Sequence, residues 1–168
     1  PYCDQIFDTA LIMGPLYHLL DMNDRINVIK EALRVIKKEG VLIMAYISRF
    51  ASMLDGFKYN LVNDELFRYI LNKDLRDGNH INNTDNSNYF TTAYLHHPDE
   101  IEKEIKASGG FLTKMYAIEG ISNCIVDLEN KLENEIYREY LLSKLAETEE
   151  DKSIIGISSH IMAIAKKA

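Results

Sequence analysis

Tryptophan is absent from this 168-residue chain, and cysteine, proline and glycine are scarce, at two, three and eight residues. Cys3 and Cys124 form neither a Cys-x-x-Cys pair nor any zinc-ligand spacing, so a disulfide-built scaffold and a structural zinc knuckle are excluded; two free thiols suit a reducing compartment. No glycine-rich G-x-G-x-x-G loop occurs. No apolar run approaches the ~18 residues of a membrane span, and no basic-then-apolar leader is present, which favours a cytoplasmic protein with no membrane contact. Positive charge is the scarcer sign: 19 Lys and Arg against 26 Asp and Glu, a formal net charge of -7. The only basic clusters are short pairs such as Lys37-Lys38 and Lys166-Lys167. Nucleic-acid binding, which needs a basic face, is therefore not expected.

What the chain does have suits one hydrophobic core: 46% hydrophobic and 27% charged residues. Phe7 to Met13 is a short apolar run ending at Gly14-Pro15, the pattern of a strand buried on both faces. Ile26, Ile29, Leu33 and Ile36 then recur at helical spacing. Asp21 or Asn23 can cap the start of that helix, with Lys37 and Lys38 in its last turn and Gly40 at its left-handed end. Residues 41–48 read as a second buried strand, so strand, helix and strand make a right-handed parallel crossover. Beyond Arg49 the pattern loosens. Asn63-Asp64-Glu65 starts a helix carrying Leu66, Phe67, Ile70, Leu71 and Leu75, and an exposed Asn/Asp-rich loop follows, long enough to be a lid or cap. Pro98 opens another helix, ended by Ser108-Gly109-Gly110. Residues 111–118 read as a strand, 123–147 as one long amphipathic helix with Ile125, Leu128, Leu132, Ile136 and Tyr140 along a stripe, and 160–167 as the closing strand. The order defines an α/β layered domain.

The stretch "FDTALIMGPLYHLLDMNDRINVIKEALRVIKKEGVLIMAYISRF" resembles the middle of a class I S-adenosylmethionine-dependent methyltransferase, of the small-molecule branch similar to the ubiquinone-biosynthesis enzymes. The strand opening at Phe7-Asp8 and closing in Gly14-Pro15-Leu16-Tyr17-His18-Leu19 carries the likeness, with "EALRVIKKEGVLIMA" and Ile47-Ser48-Arg49. "GFLTKMYAIEG" and "SSHIMAIAKK" are similar to the last two strands of that fold. Lys38-Glu39-Gly40 stands where members often have Pro-Gly.

The resemblance implies a partial Rossmann-like α/β fold, strands four to seven, with residues 49–97 inserted as a cap between strands five and six. The family's glycine-rich cofactor loop and acidic ribose ligand have no counterpart here. The sequence thus reads as the second half of such an enzyme, whose strand at 7–13 would be left as an apolar edge. Dimerisation through that edge, pairing with a missing fragment, or aggregation is the expectation.

The resemblance further implies S-adenosylmethionine as cofactor, lying beside Met13, Gly14, Pro15, Leu16, Tyr17 and His18. His18 is the candidate general base or substrate contact, or else a residue that only holds the turn. Arg49 and Phe50 end the next strand; Arg49 suits either an acidic substrate group or an ion pair with a helix carboxylate. Tyr89, Phe90, Tyr94, His96 and His97 follow the polar loop, where Tyr and Phe rings would stack on a small-molecule substrate or else form a small core. Adjacent His96 and His97 make a poor metal pair, and no metal is expected. Two alternatives stand beside the methyltransferase: a non-catalytic module that self-associates or supports a partner subunit, and an α/β hydrolase using Ser158, Ser159 and His160, which lack the second glycine of a nucleophile elbow.

Overall fold

The computed structural model describes residues 2–168. In chain order its elements are β1 (Phe7–Ile12), α1 (Pro15–His18), α2 (Met22–Val35), β2 (Ile36–Ile47), α3 (Ala51–Lys58), α4 (Glu65–Asp77), β3 (Asn79–His80), β4 (Ala93–Tyr94), α5 (Pro98–Ala107), β5 (Gly110–Ala117), α6 (Leu128–Leu132), α7 (Glu135–Thr148), α8 (Lys152–Ile155) and β6 (His160–Lys167). The main sheet has the order β1-β2-β6-β5. β1 and β2 are parallel, while β6 runs antiparallel to both β2 and β5. This is the mixed α/β architecture that the alternation of periods predicts.

One face of the sheet carries the core. Leu42, Met44 and Tyr46 on β2 lie opposite Ala165, Ala163 and Ile161 on β6, and all six are fully buried. Ile29 and Leu33 of α2 and Ile101 and Ile105 of α5 pack into the same cluster. Each such side chain contributes roughly 1.5–3 kcal/mol on burial. The alternate residues behave differently. Val41, Ile43, Ala45, Met162 and Ile164 are only half-buried, and Leu11 on β1 is 62% exposed. The expectation that β1 is buried on both faces is therefore corrected: it is the sheet's edge, and it presents Phe7 and Leu11 to solvent.

The first helix is shorter than its periodicity suggests. Asp21 caps it by accepting from the Asn23 N–H at 2.6 Å, but it ends at Val35, before the two lysines. Ile36 already pairs with Phe7, and the next register pair is Thr9 with Val41, so residues 37–40 bulge out of the ladder. Lys37 turns to Asp8 at 2.7 Å instead of serving the helix dipole. Gly40 is not in the left-handed region. It is needed because a Cβ would stand 2.9 Å from the Asp8 carbonyl oxygen.

The second correction concerns residues 123–147. Asp127 has φ of 56° and Asn134 caps a fresh start by accepting from the Tyr137 N–H at 3.0 Å, so α6 and α7 are separate helices. The apolar stripe is not buried: Ile136 is 81% and Tyr140 68% exposed, and Leu141 is the buried residue of α7.

Between β2 and α5, residues 49–97 hold α3, missed in the sequence, and α4, which is capped by Asp64. They also hold a two-stranded ladder of β3 and β4. Phe67, Ile70, Leu71 and Tyr89 form a small core of their own there. The Asn-rich stretch is tied by Asn82, whose side chain donates to the Phe90 carbonyl at 2.7 Å and accepts from the Thr84 hydroxyl at 2.6 Å.

Candidate functional site

The carboxyl ends of β1 and β2 lead into one region. After β1 the chain turns through Met13 and Gly14 into α1, leaving Met13 and His18 exposed, Leu16 fully buried and Tyr17 half-buried. His18 packs its ring against Tyr17 at 4.7 Å. Tyr17 in turn leans on a small apolar cluster of Ile47, Ala51, Ala93 and Leu95. The far side of that cluster, through Ile47, Ala51 and Leu95, lines a 150 Å³ cavity. The turn at 13–18 and the cavity are thus joined through one apolar wall.

Beneath the turn lies a buried ionic network. Arg25 of α2, 1% exposed, donates Nε and Nη2 to Glu104 Oε1 at 2.9 and 2.7 Å. Its Nη1 donates to the Leu19 and Leu20 carbonyls, both at 2.8 Å, so it holds the end of the 13–20 turn. The guanidinium lies 3.7 Å above the Tyr94 ring. His96, fully buried between Tyr46 and Tyr94, stands 3.4 Å from Glu104. Burial pushes the His96 imidazole below its usual range, against the pull of Glu104. Burial opposes the charge on Glu104, yet His96 and Arg25 hold its carboxyl low.

Arg49 is committed elsewhere. It forms a forked pair with Glu100 at 2.9 and 2.7 Å and donates Nε to the Leu95 carbonyl at 2.8 Å. The ion-pair reading of Arg49 is the one its geometry has; the guanidinium is buried and points to α5. Gly78 makes this possible: with φ of 77°, it sits where a Cβ would come 2.7 Å from the Arg49 guanidinium. Tyr94 belongs to the same network, donating to Glu100 at 3.2 Å. Phe50 lies apart, edge-on to His97 in a separate 380 Å³ cleft beside β5. Of the residues expected at the substrate, Tyr89 and Phe90 line the 150 Å³ cavity, and Arg49, Phe50, Tyr94 and His96 do not.

The cavity's polar walls come from residues the sequence did not single out together. His80 donates Nε2 to the Tyr89 carbonyl at 2.6 Å and faces Asp74 with Nδ1 at 2.7 Å. A carbonyl only accepts, so Nε2 carries a proton. Burial disfavours the charge, but Asp74 outweighs it and raises the His80 pKa. His160, at the start of β6, faces Glu119 through Nδ1 at 2.5 Å. The Glu119 carboxylate also accepts from the Ser158 hydroxyl at 2.7 Å and the His160 N–H at 2.9 Å. Although burial works against it, these partners hold the Glu119 carboxyl at about 2. Ser158 is fully buried and its hydroxyl is engaged by Glu119 and the His160 carbonyl, so it offers no nucleophile to the imidazole. Asp55 of α3 lines the cavity as well, and burial pushes its carboxyl up.

Solved structures share this architecture. An S-adenosylmethionine-dependent methyltransferase from Methanosarcina mazei matches 99% of this chain with 61% of its own, at a TM-score of 0.55 and 15% identity. One from Clostridium acetobutylicum matches 100% with 61% of its own, at 0.52 and 12%. The CcbJ methyltransferase from Streptomyces caelestis matches 98% with 58% of its own, at 0.50 and 11%. No protein-family model and no curated protein matches the sequence. At these identities the likeness establishes the fold: the chain has the Rossmann-like α/β fold of S-adenosylmethionine-dependent methyltransferases, and it spans about three-fifths of the length of these chains. Among the described residues no helix is long and apolar enough to cross a membrane.

Proposed function

We propose that this chain is the C-terminal part of an S-adenosylmethionine-dependent methyltransferase of the small-molecule, ubiquinone-biosynthesis-like branch, acting in the cytoplasm. The likeness to solved methyltransferases over nearly the whole chain carries this reading. In open α/β sheets ligands sit outside the carboxyl ends of the strands, and the turn at 13–18 stands at such an end.

The residues present suit one side of the cofactor. Met13 is exposed and His18 has no hydrogen-bond partner among the described residues. The backbone of Gly14 is open, the nearest atom to a Cβ there being the Tyr17 hydroxyl at 3.6 Å. The opposite side, a glycine-rich loop, is not in this sequence and would come from a segment outside it. The cofactor would supply an electrophilic methyl group on a sulfonium. The chain's own task is to position the acceptor and keep water away from it. Residues 49–97 form the cap over the acceptor in this reading.

The decisive experiment is isothermal titration of S-adenosylhomocysteine into the 168-residue chain beside a form extended upstream. Binding to the longer form alone supports the proposal. Binding to the short chain shows that the 13–18 turn makes a cofactor site unaided. Binding to neither overturns the cofactor reading. A second reading, a non-catalytic module that self-associates or supports a partner subunit, then takes its place. It draws on the unpaired edge of β1 and the exposed Leu11 and Met13.

A further inference from the structure

The 150 Å³ cavity combines three kinds of wall. Phe67, Tyr89 and Phe90 supply aromatic surface; Ile47, Ala51 and Leu95 form the side shared with the cluster against which Tyr17 packs; Asp55, His80 and His160 supply the ionisable groups. A space of this size holds a single six-membered ring. Asp55 has no side-chain hydrogen-bond partner among the described residues, although it is only half-exposed. A carboxylate left unpaired beside aromatic rings is the complement of an organic cation, which gains both an ion pair and contact with ring faces.

Two further features mark the place as built. Phe90, which lines the cavity, has φ of 62° and ψ of 171°, a conformation essentially reserved for glycine and strained for a bulky residue. His160 is oriented by a carboxylate: Nδ1 is fixed by Glu119 at 2.5 Å, and Nε2 has no partner among the described residues. This is the arrangement of an imidazole held in one tautomer to move a proton at its other nitrogen.

We propose that this cavity takes a small ring-bearing primary or secondary amine, and that the Glu119–His160 pair is the base that takes a proton from it. Asp55 receives the ammonium while the ring lies among Phe67, Tyr89 and Phe90. His160 Nε2 takes one N–H proton, and the N–H bonding pair stays on nitrogen as its lone pair. The proton remains on the imidazole, its charge met by Glu119, until solvent removes it. The other charged groups around this pair are His80 across the cavity and Lys58 one turn beyond Asp55 on α3.

The test uses the 168-residue chain and benzylamine, with benzyl alcohol as its neutral isostere. Titration followed by amide NMR is expected to move Asp55, Phe90 and His160 and to favour the amine about tenfold or more near neutral pH. Asp55→Asn should reduce that preference to within about threefold, roughly half the tenfold step on a free-energy scale. Glu119→Gln should lower the midpoint at which the His160 ring proton shifts with pH; this separates a positioning carboxylate from one that only holds the turn. Equal binding of the two probes, shifts confined to other residues, or an unchanged preference in Asp55→Asn overturns the amine site. The comparison on the unaltered chain decides even where a variant does not fold. An S-adenosylhomocysteine titration that fails on the upstream-extended form while benzylamine binds would overturn the cofactor reading and leave the amine pocket; the reverse would remove the pocket alone.

Discussion

Replacing Arg25 by methionine tests whether the buried pair with Glu104 fastens the 13–20 turn to the helical layer. The change keeps much of the apolar volume but removes four hydrogen bonds, two to Glu104 and two to the Leu19 and Leu20 carbonyls. It also strands a carboxylate that is 3% exposed. Breaking one side of such a pair costs about 3–5 kcal/mol, and loss of the stack on Tyr94 adds roughly 0.5–2. A domain of this size has about 5–15 kcal/mol in all. With a urea slope of about 2 kcal/mol/M, the unfolding midpoint should fall by about 1.8–3.5 M. The double variant R25M/E104M should regain most of this, because a buried pair exchanged for apolar side chains is often neutral. The single variant should also be less impaired near pH 6 than near pH 8. Without Arg25 the His96 imidazole can charge and pair with Glu104, as Arg25 is one of the groups that now oppose that charge. A midpoint shift below about 0.5 M in R25M would refute the reasoning, since it would mean that Glu104 is not held as a buried charge.

Three further outcomes are expected. Gly78→Ala should destabilise by at least ~1–2 kcal/mol from the left-handed backbone alone, and by more because the new Cβ would meet the Leu95 carbonyl at 2.5 Å and the Arg49 guanidinium; a thermal midpoint equal to the parent's would refute it. His80 has a folded pKa raised by Asp74, so its stabilisation is fully present below about 6.5 and is lost as pH rises through the folded value. The stability difference between the parent and His80→Gln should therefore shrink on the alkaline side, and a difference that grows with pH in denaturation curves would contradict it. Leu11→Lys, on the exposed edge strand, should shift the chain towards monomer in sedimentation velocity, and a parent chain that is monomeric at every concentration would remove edge association from the proposal.

The local signals in the sequence were legible because they depend on neighbours along the chain. The β1 run closed by Gly14-Pro15, the Asp21 cap, Pro98 at the start of α5 and the two strands read at 111–118 and 160–167 all stand within a residue of where the sequence places them. Where the reading failed locally, a competing local signal was present. Asn134 is a helix cap, and it divides a stripe that looked continuous from Ile125 to Tyr140. Gly40 marks a close approach of two backbones, and that also looks like a helix end when only the sequence is in view.

The site was illegible for a different reason. Arg25 and Glu104 are 79 residues apart, and each sits on a helical face where a charged residue reads as solvent-facing; only their mutual neutralisation lets both enter the core. Glu119 and His160 are 41 apart and meet because β5 and β6 are antiparallel, so that the turn leaving β5 abuts the start of β6. That register pairs Ala117 with Ile161 and continues in the Ile118 N–H donating to the His160 carbonyl at 3.1 Å, which brings the next residue, Glu119, within reach of the His160 ring. The pairing of two strands, each predictable alone, thus creates an imidazole that a carboxylate orients at Nδ1 while Nε2 has no partner among the described residues. His18, conspicuous beside its glycine and proline, gains no such partner, since the turn after β1 has no antiparallel neighbour to bring one. Imidazoles that follow a glycine turn are easily noticed in a sequence; imidazoles made useful by a distant carboxylate require the sheet order, and here the sheet order favours His160 as the group that moves a proton.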